Sequence, residues 1–162
     1  MGAEENKRIV RSYLEDVWGA RDVAAVDRYV ARDAAFRDQT SEAPGNEAVK
    51  NAVATVTAAM PDYRLEIETV VGNGDAVAAR WTCTGTNTGE LHGLPPSHRS
   101  GSLVCMAAVR LRDGKIVEGW QVLDIFGLLG ELGMVEPGKP PPAPVRWVIA
   151  IRGRLYARRR RT

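Results

Sequence analysis

The chain has 162 residues, 44% of them apolar, which suffices for one domain with a hydrophobic core and leaves no room for a second enzyme domain. Its net charge of +2 is uneven, because residues 1–137 carry 14 basic and 20 acidic residues whereas residues 138–162 carry 8 basic and no acidic ones. The sequence lacks both a secretory start and the roughly 18 apolar residues of a membrane span, and Cys83 and Cys105 lack metal-site spacing, so we expect a cytoplasmic protein with reduced thiols.

Three helices are predicted in the first 60 residues. Residues 4–18 repeat apolar side chains at helical spacing, and Gly19 suits the end of that helix. Asp22 is a favoured N-cap for a short second helix. A third helix covers residues 45–60 and is closed by Pro61.

After the third helix the apolar period changes to two, which is typical of strands with one face towards a core. Glycine-containing turns separate these strands. Helices followed by a strand meander predict an α+β domain, in which helices cover one face of a curved antiparallel sheet and form a cone with a pocket. Strands are predicted at 65–71, 77–86, 103–111 and from Lys115 to Asp124, with a short helical turn at 127–134.

A proline-rich connector separates this domain from a basic tail. Four prolines in residues 138–144 favour an extended chain, so we expect a domain at 1–137 and a connector with a tail at 138–162. The tail ends in four arginines at 158–161 and suits a partner protein, an anionic membrane surface or nucleic acid. Alternatively, its apolar part at 145–152 folds back on the domain. No aromatic or glycine-rich RNA-binding motif favours nucleic acid, and the tail's partner stays open.

One carboxylate stands out because it ends the fourth predicted strand in apolar company. Asp124 follows Val122 and Leu123 and precedes Ile125 and Phe126. An acid in such surroundings is neutral, paired, or placed to move a proton. The same residue is also suited to cap the helical turn that follows, because Asp is a favoured N-cap. The residues alone leave both roles open.

Short motifs occur in a characteristic order at residues 6–7, 60–63, 74–82, 85–90, 93–96 and 114–120, and at Asp124 and 132–133. Over roughly residues 5–135, these motifs resemble the SnoaL-like polyketide cyclases. This family belongs to the NTF2-like superfamily, so the resemblance implies an NTF2-like cone. The same fold also hosts isomerases, dehydratases, epoxide hydrolases, hydroxylase-like proteins and noncatalytic domains.

The resemblance implies a reaction that needs neither a metal nor an organic cofactor. The best-known members close the last ring of an anthraquinone-type polyketide ester by intramolecular aldol condensation, and the aspartate at the position of Asp124 serves as acid and base. Burial would raise the pKa of that aspartate, because desolvation disfavours the anion. The resemblance also implies a homodimer or higher oligomer formed through the exposed sheet face, where Thr82, Thr84 and Thr86 alternate.

Further polar candidates for substrate binding lie in predicted loops and strands, and Arg80 on the second predicted strand is one of them. His92 and His98 precede the third strand, in a connection that is placed either to cover the cone's mouth or simply on the surface. Many relatives carry a histidine after the second helix, where this chain has Arg37 and Asp38. Asp38 is either a second acid in the pocket or an ion-pair partner of Arg37 or Arg80.

Aromatic and apolar side chains are candidates for the pocket wall. Flat walls suit a polycyclic substrate, although the same side chains fit an ordinary core. Their convergence on Asp124 is what would favour binding. The candidates are Tyr13, Phe36, Tyr63, Trp81, Met106 and Trp120.

Other function classes are weighed by the residues that they require. Two histidines six positions apart do not match a known short metal spacing, so a metal site is not expected. An epoxide hydrolase of this superfamily needs an Arg-x-Asp strand, whereas this chain has Arg80-Trp81-Thr82. Two alternatives remain, namely a hydroxylase component that works with a reductase partner and a noncatalytic module that binds a small ligand or a partner.

Overall fold

The computed structural model describes residues 2–37, 45–136, 138–140, 142–143 and 145–146. Its helical segments are α1 (Ala3–Tyr13), a π-helical turn (Leu14–Gly19), a 3-10 turn (Val23–Ala25), α2 (Val26–Tyr29), α3 (Gly45–Ala59) and α4 (Ile125–Glu131). Its strands are β1 (Val30–Arg37), β2 (Arg64–Asn73), β3 (Ala76–Thr86), β4 (Ser100–Arg112) and β5 (Lys115–Leu123). The α+β class and all four predicted strands are confirmed.

The sheet has one strand more than predicted. Its order is β1-β5-β4-β3-β2, and β2 to β5 form the expected antiparallel meander. β1 pairs in parallel with β5, where Phe36 lies opposite Gly119. The prediction of a purely antiparallel sheet is therefore wrong. A side chain at position 119 would place its Cβ 2.7 Å from the Phe36 ring, so glycine permits this close approach.

The helices lie on one face of the sheet, which we call the inner face. α1 packs on β2 and β3, α3 packs on β1, and α4 packs on β4. Val17, Val53 and Ile116, from a helical turn, a helix and a strand, are fully buried in the main core cluster. Burial of apolar side chains between the two layers is thus what holds the cone together.

The first predicted helix is not uniform. Its regular part ends at Tyr13, and a π-helical turn continues to Gly19. Asp22 caps the next turn as predicted, because its Oδ1 accepts hydrogen bonds from the amides of Ala24 (2.9 Å) and Ala25 (3.2 Å). The chain then enters β1 at Val30, directly after the short α2.

The connector returns to the domain at one point. Val145 is buried against Leu94 and Leu129, beside α4. This agrees with the fold-back alternative for the start of the tail, whereas residues 147–162, including the arginine run, lie outside the described residues. Within the described part of the chain, no helix has the length and apolar content needed to cross a membrane.

Candidate functional site

The inner face of the sheet carries the candidate ligand surface. Trp81 and Cys105 are buried there, whereas Cys83, Leu103 and Leu123 face the helices and still keep partial contact with solvent. At this level the helices therefore cover the inner face only in part. Cys83 and Leu103 pack against two separate core clusters, the main one and a second that closes the end of the cone near α4.

Polar side chains cross the inner face on one diagonal. Tyr63 lies just before β2, Cys83 on β3, Cys105 on β4 and Gln121 on β5. Each of these residues lies two positions along the chain from the residue directly opposite its neighbour in the set. Because side chains alternate along a strand, all four point to the same face. Such diagonal neighbours have Cα atoms about 7–8 Å apart, within reach of long side chains. We call these four residues the polar diagonal.

The two thiols of the polar diagonal influence each other. Both cysteines are free, as predicted. A hydrogen bond from the Cys105 thiol lowers the pKa of Cys83, and the same bond together with burial raises the pKa of Cys105. Cys83 is thus the more acidic thiol, and it is also the more exposed of the two.

Tyr63 is held firmly in its position. Asp62 accepts hydrogen bonds from the amide (2.7 Å) and the hydroxyl (2.8 Å) of Thr86, which fasten the chain before β2 to the end of β3. A Cβ at Gly85 would lie 2.9 Å from the Cα and Cβ of Tyr63, so only glycine leaves room for the tyrosine. The Arg21 guanidinium lies over the Tyr63 ring, 5.4 Å from its centroid.

The Tyr63 hydroxyl has no hydrogen-bond partner among the described residues, although the residue is only 2% exposed. Burial raises the pKa of this hydroxyl, and the nearby Cys83 thiol raises it further. The Thr57 hydroxyl of α3 is likewise buried without a described partner. Thr57 lies one helical turn after Val53, which packs in the main core, so both residues share the face of α3 that is turned to the sheet.

Besides Tyr63, three of the predicted pocket residues lie in the interior. Trp81 and Tyr13 are buried in the main core cluster, and Phe36 is half-buried beside it. Tyr13 accepts a hydrogen bond from the Trp18 indole (3.0 Å), and burial raises its pKa to about 12. Its hydroxyl is thus committed to a structural bond, whereas Trp81 and Phe36 offer apolar surface.

Three others lie on the opposite, outer face. Met106 is 56% and Trp120 36% exposed, and Arg80 forms an ion pair with Glu68. The expectation that these residues share a cavity with Trp81 is wrong. Side chains alternate along a strand, so Arg80 points away from the face that Trp81 occupies, and Trp120 lies opposite Ala108 on that same outer face.

Asp124 is exposed, so the predicted burial of its carboxylate is wrong. Its Oδ1 accepts a hydrogen bond from the Gly127 amide (2.9 Å) and caps α4, which is the alternative that the sequence left open. Its own amide donates to the Val104 carbonyl (3.0 Å). Asp124 directly follows the end of β5 at the level of Val104, so it lies at the strand-end edge of the sheet, which we call the rim, rather than in the interior.

The two candidate histidines lie in a loop organised by Asn87. This fully buried side chain donates to the Gly89 carbonyl (2.8 Å) and accepts from the Ser97 amide (2.7 Å). His92 is half-buried and His98 exposed, and both have left-handed backbone angles, with φ of 51° and 57°. The histidines therefore do not extend the polar diagonal, which lies on the sheet. Asn87 was not predicted, because an Asn in a glycine-rich loop is indistinguishable from a turn residue.

Asp38 lies outside the described residues, so its predicted role is unplaced. Within the described ranges, no three His, Cys, Asp or Glu side chains form a group that could hold a metal ion. Cys83 and Gln121 were not predicted as site residues. Their only sequence signal is a polar residue at an inward position of an alternating strand, and this signal needs the register of the whole sheet to be recognised.

Residues 8–132 match the family model of the SnoaL-like polyketide cyclases. No curated protein sequence matches the chain. Among solved structures, IdmH from Streptomyces antibioticus, a candidate polyketide cyclase, is 27% identical with a TM-score of 0.66 and covers 79% of this chain and 98% of its own.

Two further structures have the same fold. AclR from Streptomyces galilaeus, a candidate hydroxylase, is 26% identical with a TM-score of 0.70 and covers 83% of this chain and 99% of its own. TsrD from Streptomyces laurentii is 22% identical with a TM-score of 0.75 and covers 83% and 99% of the two chains. At this identity, the likeness to TsrD shows the fold alone.

Proposed function

Because the chain belongs to the SnoaL-like polyketide cyclase family, we propose that it closes a ring of an aromatic, anthraquinone-type polyketide ester by intramolecular aldol condensation, without a cofactor. The observation that carries the proposal is the family match over residues 8–132, which includes all five strands and Asp124. The partly open inner face supports it, because a flat aromatic ligand suits apolar walls with a few polar groups.

Asp124 is the proposed acid and base. Its carboxylate would take a proton from the carbon between the ester and a ketone, and the resulting enolate carbon would attack a second carbonyl of the same molecule. The new alkoxide would then take that proton back from Asp124. One carbon–carbon bond forms and all electrons stay in the substrate, so the step balances without an oxidant.

The position of Asp124 supports this role. Only one of its oxygens is engaged by the Gly127 amide, and the other has no hydrogen-bond partner among the described residues. A substrate that lies over the inner face and reaches the rim would cover the exposed carboxylate. Such a contact would desolvate Asp124 only in the complex, and desolvation favours proton uptake by a carboxylate.

The experiment replaces Asp124 by Asn, and Asp22 by Asn as the matched control. Both aspartates cap a helical turn, and Asn caps as well as Asp, so neither change should disturb folding. If Asp124 is the acid and base, ring closure of an anthraquinone-type ester should slow by about 100- to 10,000-fold in Asp124→Asn, with no change in Asp22→Asn. Equal rates in Asp124→Asn and the wild type would contradict the assignment.

The similarity to AclR keeps a hydroxylase component with a reductase partner as the second candidate. The same assay separates the two, because ring closure leaves the mass of the substrate unchanged whereas hydroxylation adds one oxygen atom. Binding without any turnover would instead favour the noncatalytic module. Product mass and stereochemistry therefore identify the reaction.

We also propose that the protein forms a homodimer through the outer sheet face. Met106 and Val122 lie opposite each other there and are 56% and 73% exposed, and Val71 is exposed on the same sheet. Exposed apolar surface of this kind is typical of an interface. Sedimentation of the purified protein measures the oligomeric state directly.

A further inference from the structure

The polar diagonal contains the Tyr63 hydroxyl, which forms no hydrogen bond with any described residue. A buried hydroxyl without a hydrogen bond is costly, so native proteins seldom keep one unless water or a ligand completes it. Tyr63 is nevertheless fixed by its surroundings, through the Asp62–Thr86 hydrogen bonds and the close approach to Gly85. A rigid, unpartnered donor beside a partly open interior is suited to a ligand atom.

A second unpartnered hydroxyl lies on the opposite layer. Thr57 of α3 faces the sheet, and Cys83 of β3 keeps contact with solvent beside the cluster that contains Tyr63. Other inward side chains at this level, such as Leu65, Leu103 and Leu123, are apolar. The interior thus offers apolar walls and unpartnered hydroxyl donors, which suits a flat ring system that carries carbonyl oxygens.

We propose that Tyr63 binds a ring carbonyl or phenol oxygen of an aromatic ligand by donating its hydroxyl, beside Cys83 on the inner face. This inference rests on the proposed function, because it takes the polycyclic aromatic substrate from there. It makes Tyr63 a residue that orients the substrate and selects for oxygenated rings, while the acid–base step stays with Asp124. Because burial keeps the phenol protonated, Tyr63 acts as a donor at neutral pH.

The test uses two probes, anthraquinone carboxylate and anthracene carboxylate. They have the same charge and the same three-ring frame, and they differ by the two ring carbonyl oxygens. Tyr63→Phe removes only the hydroxyl and should weaken anthraquinone carboxylate binding by about 3- to 10-fold, the usual loss for one neutral hydrogen bond. Binding of anthracene carboxylate should not change.

Tyr29→Phe is the matched control, because the Tyr29 hydroxyl donates to Asp16 (2.6 Å) and lies beside the first helices. It should leave both affinities unchanged. The proposal is overturned if Tyr63→Phe weakens both probes equally or neither, or if the wild type does not bind anthraquinone carboxylate. Neither probe carries a reacting ester, so the result is independent of ring closure by Asp124.

Alkylation of Cys83 locates the ligand without any change at Tyr63. Cys83 is the half-buried thiol of the pair and has a lowered pKa, so iodoacetamide should modify it faster than the buried Cys105. Saturating anthraquinone carboxylate should slow this modification, measured by peptide mass. An unchanged rate at saturation would place the ligand elsewhere and overturn the proposal.

Discussion

The inner and outer faces of the sheet differ in whether particular polar side chains have partners within the protein. On the outer face, Arg110 pairs with Asp75 (3.0 Å), and Thr82 donates to Glu68 (2.7 Å). On the inner side, the hydroxyls of Tyr63 and Thr57 are buried without described partners. The outer groups in these pairs are satisfied by the protein itself, whereas the Tyr63 and Thr57 hydroxyls are available to another molecule. Pairing, rather than polarity, thus distinguishes a stabilising group from a candidate binding group.

The tryptophans of the two faces should also differ in how much they contribute to the free energy of unfolding. This difference is the largest effect that we expect. Trp81 is 6% exposed inside and Trp120 36% exposed outside. Trp81→Ala should lower the free energy of unfolding by about 3–5 kcal/mol, because it leaves a cavity in the core. Trp120→Ala should cost about 1 kcal/mol or less. Urea unfolding of both variants measures the difference, and equal losses would break the distinction between the faces.

Gly85 tests how tightly the inner face is built around Tyr63. Gly85→Ala would push a Cβ to within 2.9 Å of Tyr63, so we expect a loss of about 1–3 kcal/mol in the free energy of unfolding. Gly130→Ala is the control, because no atom lies within 4 Å of a Cβ there and alanine favours the helix α4. In thermal unfolding, the melting temperature should fall for Gly85→Ala and rise for Gly130→Ala. An unchanged melting temperature for Gly85→Ala would mean that Tyr63 is free to move.

The smallest effect should come from Asp62, the exposed acid that fastens Tyr63 to β3. Hydrogen bonds from the Thr86 amide and hydroxyl hold the pKa of Asp62 below its usual value. Its contribution to stability is therefore present above about pH 4 and is lost as the pH falls through the lowered pKa. Asp62→Asn should flatten the stability profile in that acid range.

The control for this profile is Asp113→Asn, which removes a charge from the exposed turn between β4 and β5. Its unfolding transitions, recorded by circular dichroism at each pH, should follow the wild type in the acid range. If Asp62→Asn also follows the wild type, the Asp62–Thr86 bonds do not contribute to the acid dependence of stability.

Local signals in the sequence were enough for most of the fold. Alternating apolar residues and glycine turns identified β2 to β5, and Asp22 identified a helix start. β1 was missed because its residues 31–35 are mainly alanine and charged, and its partner β5 lies some 80 positions away in the chain. Parallel pairing depends on such distant contacts, which leave no local pattern.

The site was harder to predict than the fold. Asp124 satisfies the pattern of a cap as well as that of a catalytic acid, and its exposure follows only from where β5 ends. The ladder contains irregular steps, one between Arg110 and Leu111, and each step changes which face a following residue occupies. Met106 and Trp120 were assigned to the pocket without this register, in which they alternate with the inward-facing Cys105 and Gln121. The family motifs still identified the fold and family.

The Asn87 side chain has a consequence for how this protein could diversify. It joins Gly89 to Ser97, and the backbone of Asn87 also bonds to the Arg99 carbonyl (3.0 Å), so the base of the loop is closed independently of its tip. Changes at the exposed positions 93, 95 and 96 then need not propagate into the sheet, whereas Leu94 is buried beside α4. These exposed positions can therefore vary in sequence while the base of the loop and the sheet keep their stability.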